Sequence, residues 1–367
     1  MVDHNPASLS ATQLGQMADE AVALLEKLIA IPSISKEETH TAALIQEFFQ
    51  DKNIPFHRKY NNIWAFNQHF DPKKPSLLLN SHHDTVKPNQ GYSRDPFQPI
   101  KEDGKLFGLG SNDAGGALVC LIETFLYFYS AKLPYNLILA ATAEEEISGD
   151  LGIASVLPEL PELELAIVGE PTLMDLAVAE KGLMVVDATV IGKAGHAARN
   201  EGENAIYKAL EDLMAIRRFR FKKTSPYLGE SKVTATIIQA GQQHNVVPDR
   251  CTFTLDVRVT ESYTLEEALA ELKESLKATL VPRSLRLQAS KLPGGHKIQE
   301  VILKMGLKTY GSPTLSDQAL IPYPSVKLGP GDSARSHSPD EFIYITDIEK
   351  GIEGYINLLS TYIFFKK

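Results

Sequence analysis

Residues 18 to 30, "ADEAVALLEKLIA", space their apolar side chains as a helix does, and the pattern stops at "IPS", where Pro32 ends it. "HTAALIQEFFQDKN" predicts a second amphipathic helix. From residue 76 onward, apolar runs alternate with helical segments: "SLLLN" (76 to 80), "ALVCLIETFLYFY" (117 to 129), "NLILAAT" (136 to 142) and "ELAIVG" (164 to 169). Such alternation predicts an α/β fold, a mostly parallel sheet flanked on both faces by helices. The middle of the chain changes character. "GLMVVDATVIG" reads as a strand, "NAIYKALEDLMAIRRF" as a helix, "KVTATIIQAG" and "RCTFTLDVRVT" as strands, "TLEEALAELKESLKATL" as a helix and "RSLRLQAS" as a strand. That order is βαββαβ, the split βαβ arrangement. In "CTFTLDVRV", Cys251, Phe253, Leu255, Val257 and Val259 alternate with Thr252, Thr254, Asp256 and Arg258, so one face is buried and the other polar. An inserted α+β domain is therefore placed at 176–286, with 1–175 and 287–367 forming the first domain, to which "SVKLGPG" (325 to 331) adds one more buried strand.

Composition agrees with this division. At 367 residues the chain exceeds the range over which a single core keeps growing. With 43% hydrophobic and 23% charged residues it reads as an ordinary soluble globular protein. A net charge of −9 argues against nucleic acid and anionic membranes as partners. The one basic cluster, "RRFRFKK" from Arg217 to Lys223, reads as a solvated helix end. "ALVCLIETFLYFYSA" carries Glu123 and is too short to span a bilayer, and the first residues lack a basic stretch followed by an apolar one, so a cytoplasmic protein is expected. Cys120 and Cys251 both sit in apolar patterns that suit small buried side chains better than a disulfide.

The chemistry gathers where strands end. "SLLLNSHHD" ends in His82 and Asp84, "NLILAATAEEE" in Glu144, Glu145 and Glu146, "ELAIVGE" in Glu170, and "SVKLGPGDSARSH" leads to His337. In open α/β sheets, ligands bind beyond the carboxyl ends of the strands, so these segments are expected to converge. Acids brought together without a counter-charge repel one another, and taking each from water costs several kcal/mol unless it is paired or bound to a cation. Imidazole with carboxylate is the ligand set of Zn²⁺ and related ions. "GLGSNDAGGALVC" supplies a further acid, Asp113, in a turn whose small residues let the backbone approach a metal.

Taken singly, each signal has an ordinary structural reading. "HHD" suits a polar loop with one hydrogen-bonded histidine. "EEE" suits a solvated helix start. "VGEP" suits a strand and turn capped by Glu170, and a lone His337 suits a structural role. Their repeated placement after apolar runs favours the metal reading.

With these residues in hand, the chain resembles the M20 metallopeptidase family, and within it the acetylornithine deacetylase and succinyl-diaminopimelate desuccinylase branch. Nearly the whole chain carries the resemblance, in order: "HHD", "GLGSNDAGG", "TAEEE", "GEPT", "GKAGHAARN", "HNVVPDR" and "SHSPDEF". It implies a zinc-exopeptidase-like catalytic domain and two divalent metal ions, zinc with cobalt as the alternative. His82, Asp113 and Glu170 would hold one ion and Asp113, Glu146 and His337 the other, with Asp113 bridging. Asp84 would orient His82 from its other nitrogen. Glu145 would be the general base, taking a proton from the attacking water and returning it to the leaving amine. The family draws an oxyanion donor from the inserted domain of the partner subunit, here matched by His196, which implies a homodimer through that domain; a polar turn in the lid is the ordinary reading of the same residue.

Arg258 and Asn245 match positions that hold the carboxylate and polar atoms of a substrate in related enzymes, and "GPG" (329 to 331), with Gly331, would line the pocket through its backbone. A surface salt bridge is the ordinary reading of Arg258. His83 lies between two working residues, points to the opposite side and is assigned no catalytic role. Ala114 stands where many relatives carry Lys or Met, Glu144 where Asp is common, and "TVKP" is one residue longer than the usual Thr-Val-Pro, which leaves the subgroup open. The expected activity is hydrolysis of the amide of an N-acyl amino acid, acetylornithine or acetyl- or succinyl-citrulline in arginine biosynthesis. The alternatives are succinyl-diaminopimelate desuccinylase, a di- or tripeptidase, and a catalytically silent protein that binds an amino-acid derivative.

Overall fold

The computed structural model of the protein describes residues 9–365. It divides into two compact units: one runs through Val178 and continues over Leu292–Tyr310 and from Ser316 onward, and the other comprises Ala179–Lys291 with Gly311–Leu315.

In the first unit the central sheet runs in the order His57–Lys59, Asn62–Phe66, Asn136–Thr142, Ser76–His82, Leu163–Gly169, Ser325–Leu328 and Leu176–Glu180. The four middle strands, Asn136–Thr142, Ser76–His82, Leu163–Gly169 and Ser325–Leu328, are mutually parallel, and the strands beside them, Asn62–Phe66 and Leu176–Glu180, are antiparallel to their neighbours. Successive side chains leave opposite faces of a strand. Leu77 and Leu79 accordingly join one core with the helices Ala11–Ile29, Gly116–Phe128 and Ile345–Ile363, whereas Leu78 joins Ile138, Ala140, Ile153 and Val168 on the other face. Burial on both faces is why these strands read as continuous apolar runs. The first helix begins earlier than its apolar spacing shows, at Ala11, because Ser10 and Gln13 form a reciprocal cap at its start.

The second unit has the predicted order of elements. Strands Gly182–Ile191, Lys232–Ala240, Arg250–Val259 and Thr279–Pro282 form an antiparallel sheet, with helices Ala205–Arg218 and Leu265–Ser275 packed against it. One element differs. The last strand is Thr279–Pro282 rather than "RSLRLQAS", because the helix expected to run through residue 280 stops at Ser275. The carboxylate of Asp212 accepts the backbone N–H groups of Lys277 and Ala278 at 2.9 and 2.8 Å, a local alternative to further helical bonds. The boundaries of the inserted unit also fall at Ala179 and Lys291 rather than at 176 and 286, and Gly311–Leu315 is added to it. Cys120 and Cys251 are both buried free thiols. Among the described residues no helix is long and apolar enough to cross a membrane.

Candidate metal centre

Each middle strand of the first unit delivers one group at its carboxyl end. His82 is the last residue of Ser76–His82, buried along its whole length. Asn136–Thr142 leads to Glu144, at φ 57° and ψ 19°, and then to a single 3₁₀ turn, Glu145–Ile147. Glu170 follows Leu163–Gly169 directly, and Ser325–Leu328 runs through 329–331 to His337, whose φ is 58°. Asp113 comes from the irregular turn Ser111–Gly115 that precedes the helix Gly116–Phe128. The entry to that turn requires glycine: Gly110 has φ +77°, and a Cβ there would stand 2.6 Å from Thr85 Cγ2.

The six side chains converge. His82 Nε2 lies 3.5 Å from Asp113 Oδ1, 3.8 Å from Glu145 Oε2 and 3.8 Å from Glu170 Oε1. His337 Nε2 lies 3.0 Å from Glu146 Oε2 and 3.5 Å from Asp113 Oδ2. The two oxygens of Asp113 thus face different histidines. Two triplets, His82 with Asp113 and Glu146 and His82 with Glu145 and Glu170, each have donor atoms within 4.8 Å of one another. Distance alone gives Glu145 and Glu170 equal standing; only the resemblance separates base from ligand.

Electrostatics shows what such a cluster lacks. Burial pushes the carboxyl groups of Glu145 and Glu170 well above their ordinary range, with neighbouring acids adding to the shift, and Glu146 moves the same way. Burial pulls His82 down, but Glu145, Asp113, Asp84 and Glu170 outweigh it and hold the imidazole well above its usual value. A hydrogen bond to Glu146 raises His337 to about 9. His82 Nδ1 is engaged by the Asp84 backbone carbonyl at 3.0 Å, with Asp84 Oδ1 at 3.3 Å. Its Nε2 is buried, has no hydrogen-bond partner and faces three carboxylates.

A divalent cation fits that description. Two ligands about 2.1 Å from a tetrahedral zinc stand about 3.4 Å apart, close to the 3.5 Å between His82 Nε2 and Asp113 Oδ1. A bound cation also reverses the pressure on the acids, since positive charge favours their ionised forms.

Supporting residues hold the site from behind, and the contacts of Ser35 and Glu341 carry no local sequence signal. Asp84 accepts Ser35 Oγ at 2.6 Å and the backbone N–H groups of Glu145 and Glu146 at 3.0 and 3.2 Å. One carboxylate therefore orients His82 and ties the acidic turn to the same strand end. Despite its burial, its bonds with His82 and Ser35 keep its pKa below the ordinary range. Glu341, 1% exposed, accepts the N–H groups of Asn112 and Asp113 at 2.8 and 2.9 Å and so fixes the Asp113 turn. It lies in "SHSPDEF", but nothing in that stretch shows what it holds. Gly331 has φ +87°, and a Cβ there would meet Asn112 Oδ1 at 2.4 Å, so the loop it belongs to presses against the Asp113 turn. Its carbonyl accepts Leu173 N–H at 2.7 Å. His83 is satisfied on both sides, with Nδ1 2.9 Å from Thr41 Oγ1 and Nε2 2.9 Å from the Asn61 carbonyl, and it faces none of the six.

The remaining three candidates lie in the second unit. His196 is exposed in the short strand Gly195–His196, paired with Val246–Val247, and its Nδ1 accepts Ala198 N–H at 3.1 Å. The Asn245 carbonyl accepts Ala197 N–H at 3.0 Å. Arg258 is held in a two-pronged bond by Asp256, at 2.9 and 3.0 Å.

Fold and site together define a hydrolase built to hold metal at the ends of parallel strands. Residues 78–361 match peptidase family M20/M25/M40, and the chain belongs to that family. The acetylornithine deacetylase of Shigella sonnei is 30% identical over 88% of this chain and 92% of its own length. Among solved structures, a Staphylococcus aureus tripeptidase superposes with a TM-score of 0.76 at 22% identity, over 94% of this chain and 98% of that one. A Bacillus subtilis protein described as a dinuclear metal-binding peptidase of the M20 family gives a TM-score of 0.71 at 16% identity, over 95% of this chain and 99% of that one. The chain is a metallohydrolase of amide bonds.

Proposed function

We propose that the protein is a dinuclear zinc enzyme, with cobalt as the alternative ion, that removes an acetyl or succinyl group from the α-nitrogen of an amino acid. Acetylornithine and acetyl- or succinyl-citrulline are the leading substrates, which places the reaction in arginine biosynthesis in the cytoplasm. The observation that carries the chemistry is the bare, buried His82 Nε2 facing the carboxylates of Asp113, Glu145 and Glu170. The similarity to acetylornithine deacetylase supports the choice of substrate.

In this reading His82, Asp113 and Glu170 would hold one ion and Asp113, Glu146 and His337 the other. When bound, the ions polarise the scissile carbonyl and make water acidic enough to lose a proton near neutral pH. Glu145 takes that proton on its carboxylate and returns it to the nitrogen of the departing amine. Asp84 keeps His82 in the tautomer with the proton on Nδ1, leaving the Nε2 lone pair for coordination. Asp113 offers one oxygen toward each histidine, the arrangement a bridging ligand needs. Arg258, Asn245 and the backbone at Gly331 bind the substrate's polar groups, and His196, supplied across a dimer, donates to the developing oxyanion.

A homodimer through the second unit is part of the proposal. Lys232–Ala240 is an edge strand exposed at every position except Val233, and it presents Ile237 and Ile238 to solvent. The neighbouring helix Ala205–Arg218 exposes Tyr207, Leu210 and Met214 at helical spacing. An open edge beside an apolar helix face is suited to a second copy of the same chain. Light scattering at micromolar concentration is expected to give twice the chain mass for the native protein, and the chain mass once Ile237 and Ile238 are both replaced by Lys.

The activity is tested on zinc-loaded protein with acetylornithine, acetylcitrulline, succinylcitrulline, succinyl-diaminopimelate, and a set of dipeptides and tripeptides. The highest kcat/KM is expected on an α-N-acyl amino acid. Cleavage confined to peptides with a free amino terminus would overturn the substrate assignment.

A further inference from the structure

Behind the metal centre lies a buried acid that the reaction does not use. Asp317 is 3% exposed, and its Oδ2 accepts two hydrogen bonds, from Asn80 Nδ2 at 2.9 Å and from Thr142 Oγ1 at 2.8 Å. Both donors are fully buried. They belong to adjacent parallel strands, Asn80 two residues before His82 and Thr142 three before Glu145. Register makes the placement specific: Thr142 pairs directly with His82, and Asn80 with Ala140, so all four side chains lie on one face of the sheet.

The turn that presents Asp317 is itself held. Ser316 Oγ accepts Gln318 N–H at 3.3 Å, and Gln318 Nε2 donates to the Ser325 carbonyl at 3.0 Å, on the strand that leads toward His337. A single carboxylate oxygen therefore joins the two strands that deliver His82 and the acidic turn, and its own turn is anchored to a third strand of the site.

We propose that Asp317 is a positioning residue. It clamps the strand ends at the spacing at which His82 and the Glu145–Glu146 turn can share bound cations, and it touches neither substrate nor metal itself. This rests on the metal reading of the site. It goes beyond that reading by giving the preorganisation of the ligands to a residue outside the ligand set. Hydrogen-bond acceptance is the working property, so Asn, which keeps an oxygen in that position, should serve where Ala cannot. Outer partners that orient metal ligands typically change metal affinity by about 10- to 100-fold when removed.

The test measures zinc affinity by competition calorimetry alongside kcat and KM on the preferred N-acyl amino acid. Asp317→Ala is expected to weaken zinc binding at least about tenfold and to lower kcat with KM within about twofold. Asp317→Asn is expected to restore both to within about threefold of the native protein. Thr142→Val removes one donor at nearly constant volume, is expected to weaken zinc binding about threefold or more, and serves if Asp317→Ala does not fold. Native zinc affinity in Asp317→Ala or Thr142→Val overturns the proposal, as does an Asp317→Asn protein no better than Asp317→Ala. Zinc affinity is read without any substrate, so a wrong substrate assignment appears as absent hydrolysis in the native protein and leaves this comparison intact.

Discussion

His82 Nε2 stands 3.5 Å from Asp113 Oδ1, buried and without a hydrogen bond, in a structure where the opposite ring nitrogen is fully engaged. That separation is close to the roughly 3.4 Å expected between two donors that would share a tetrahedral zinc.

Glu145→Gln keeps the side chain's size and removes its ability to take a proton. Turnover is expected to fall by about 10²- to 10⁴-fold while zinc binding stays within a few-fold of native. Hydrolysis assays paired with calorimetry on the same preparation check this, and undiminished turnover would remove Glu145 from the mechanism.

Asp84 acts on both sides of the site, through His82 and through the backbone of Glu145 and Glu146. Asp84→Ala should therefore lose about 10- to 100-fold in zinc affinity, whereas Ser35→Ala, which removes only one of its donors, should lose less. Equal losses in the two variants would show that the Ser35 bond, rather than the contacts to His82 and the acidic turn, sets the effect.

Zinc binding should release protons. In the metal-free protein His337 is raised to about 9 by Glu146, so it is protonated at pH 7 and must give up a proton to coordinate, and the surrounding carboxylates also make His82 hold a proton more tightly than a free imidazole. Apparent zinc affinity is accordingly expected to rise between pH 6 and 9, by about tenfold per pH unit for each proton released. Calorimetry in buffers of different ionisation enthalpy counts those protons directly, and a pH-independent affinity would contradict the charge state described.

Glu123 gives a stability prediction away from the site. It is 2% exposed, its Oε1 has no hydrogen-bond partner, and burial lifts its pKa to about 8 from an ordinary 4.5, aided by Glu20 and opposed by Lys52. The folded state holds the proton more tightly than the unfolded state. Its contribution to stability is therefore complete below about pH 4.5 and declines as the pH rises, and it is lost through pH 8. Tm should drop between about pH 5 and 8 in the native protein, and Glu123→Gln should flatten that part of the profile. A profile unchanged by the substitution would place the alkaline sensitivity elsewhere.

Much of this was legible in the sequence because the middle strands are buried on both faces. "SLLLN", "NLILAAT" and "ELAIVG" stand out as apolar runs, and the residues just beyond each run are placed by the sheet itself, which is how His82, the acidic triplet and Glu170 could be found. The supporting partners were not legible. Ser35, Asp317 and Glu341 reach the site from 49, 237 and 228 residues away along the chain from the groups they meet, and their neighbours in sequence say nothing of those contacts. The misplaced last strand of the second unit has the same origin, since helical propensity runs past Ser275 and only the distant Asp212 ends it.

The central claim is that two divalent ions make this cluster of acids and imidazoles stable. Zinc titrated into metal-free protein and followed by calorimetry, with the metal content then measured by mass spectrometry, tests it most directly. Two zinc ions per chain are expected, falling to one or none in Asp113→Ala. A native protein that takes up no zinc, or an Asp113→Ala variant that retains two ions, would contradict it.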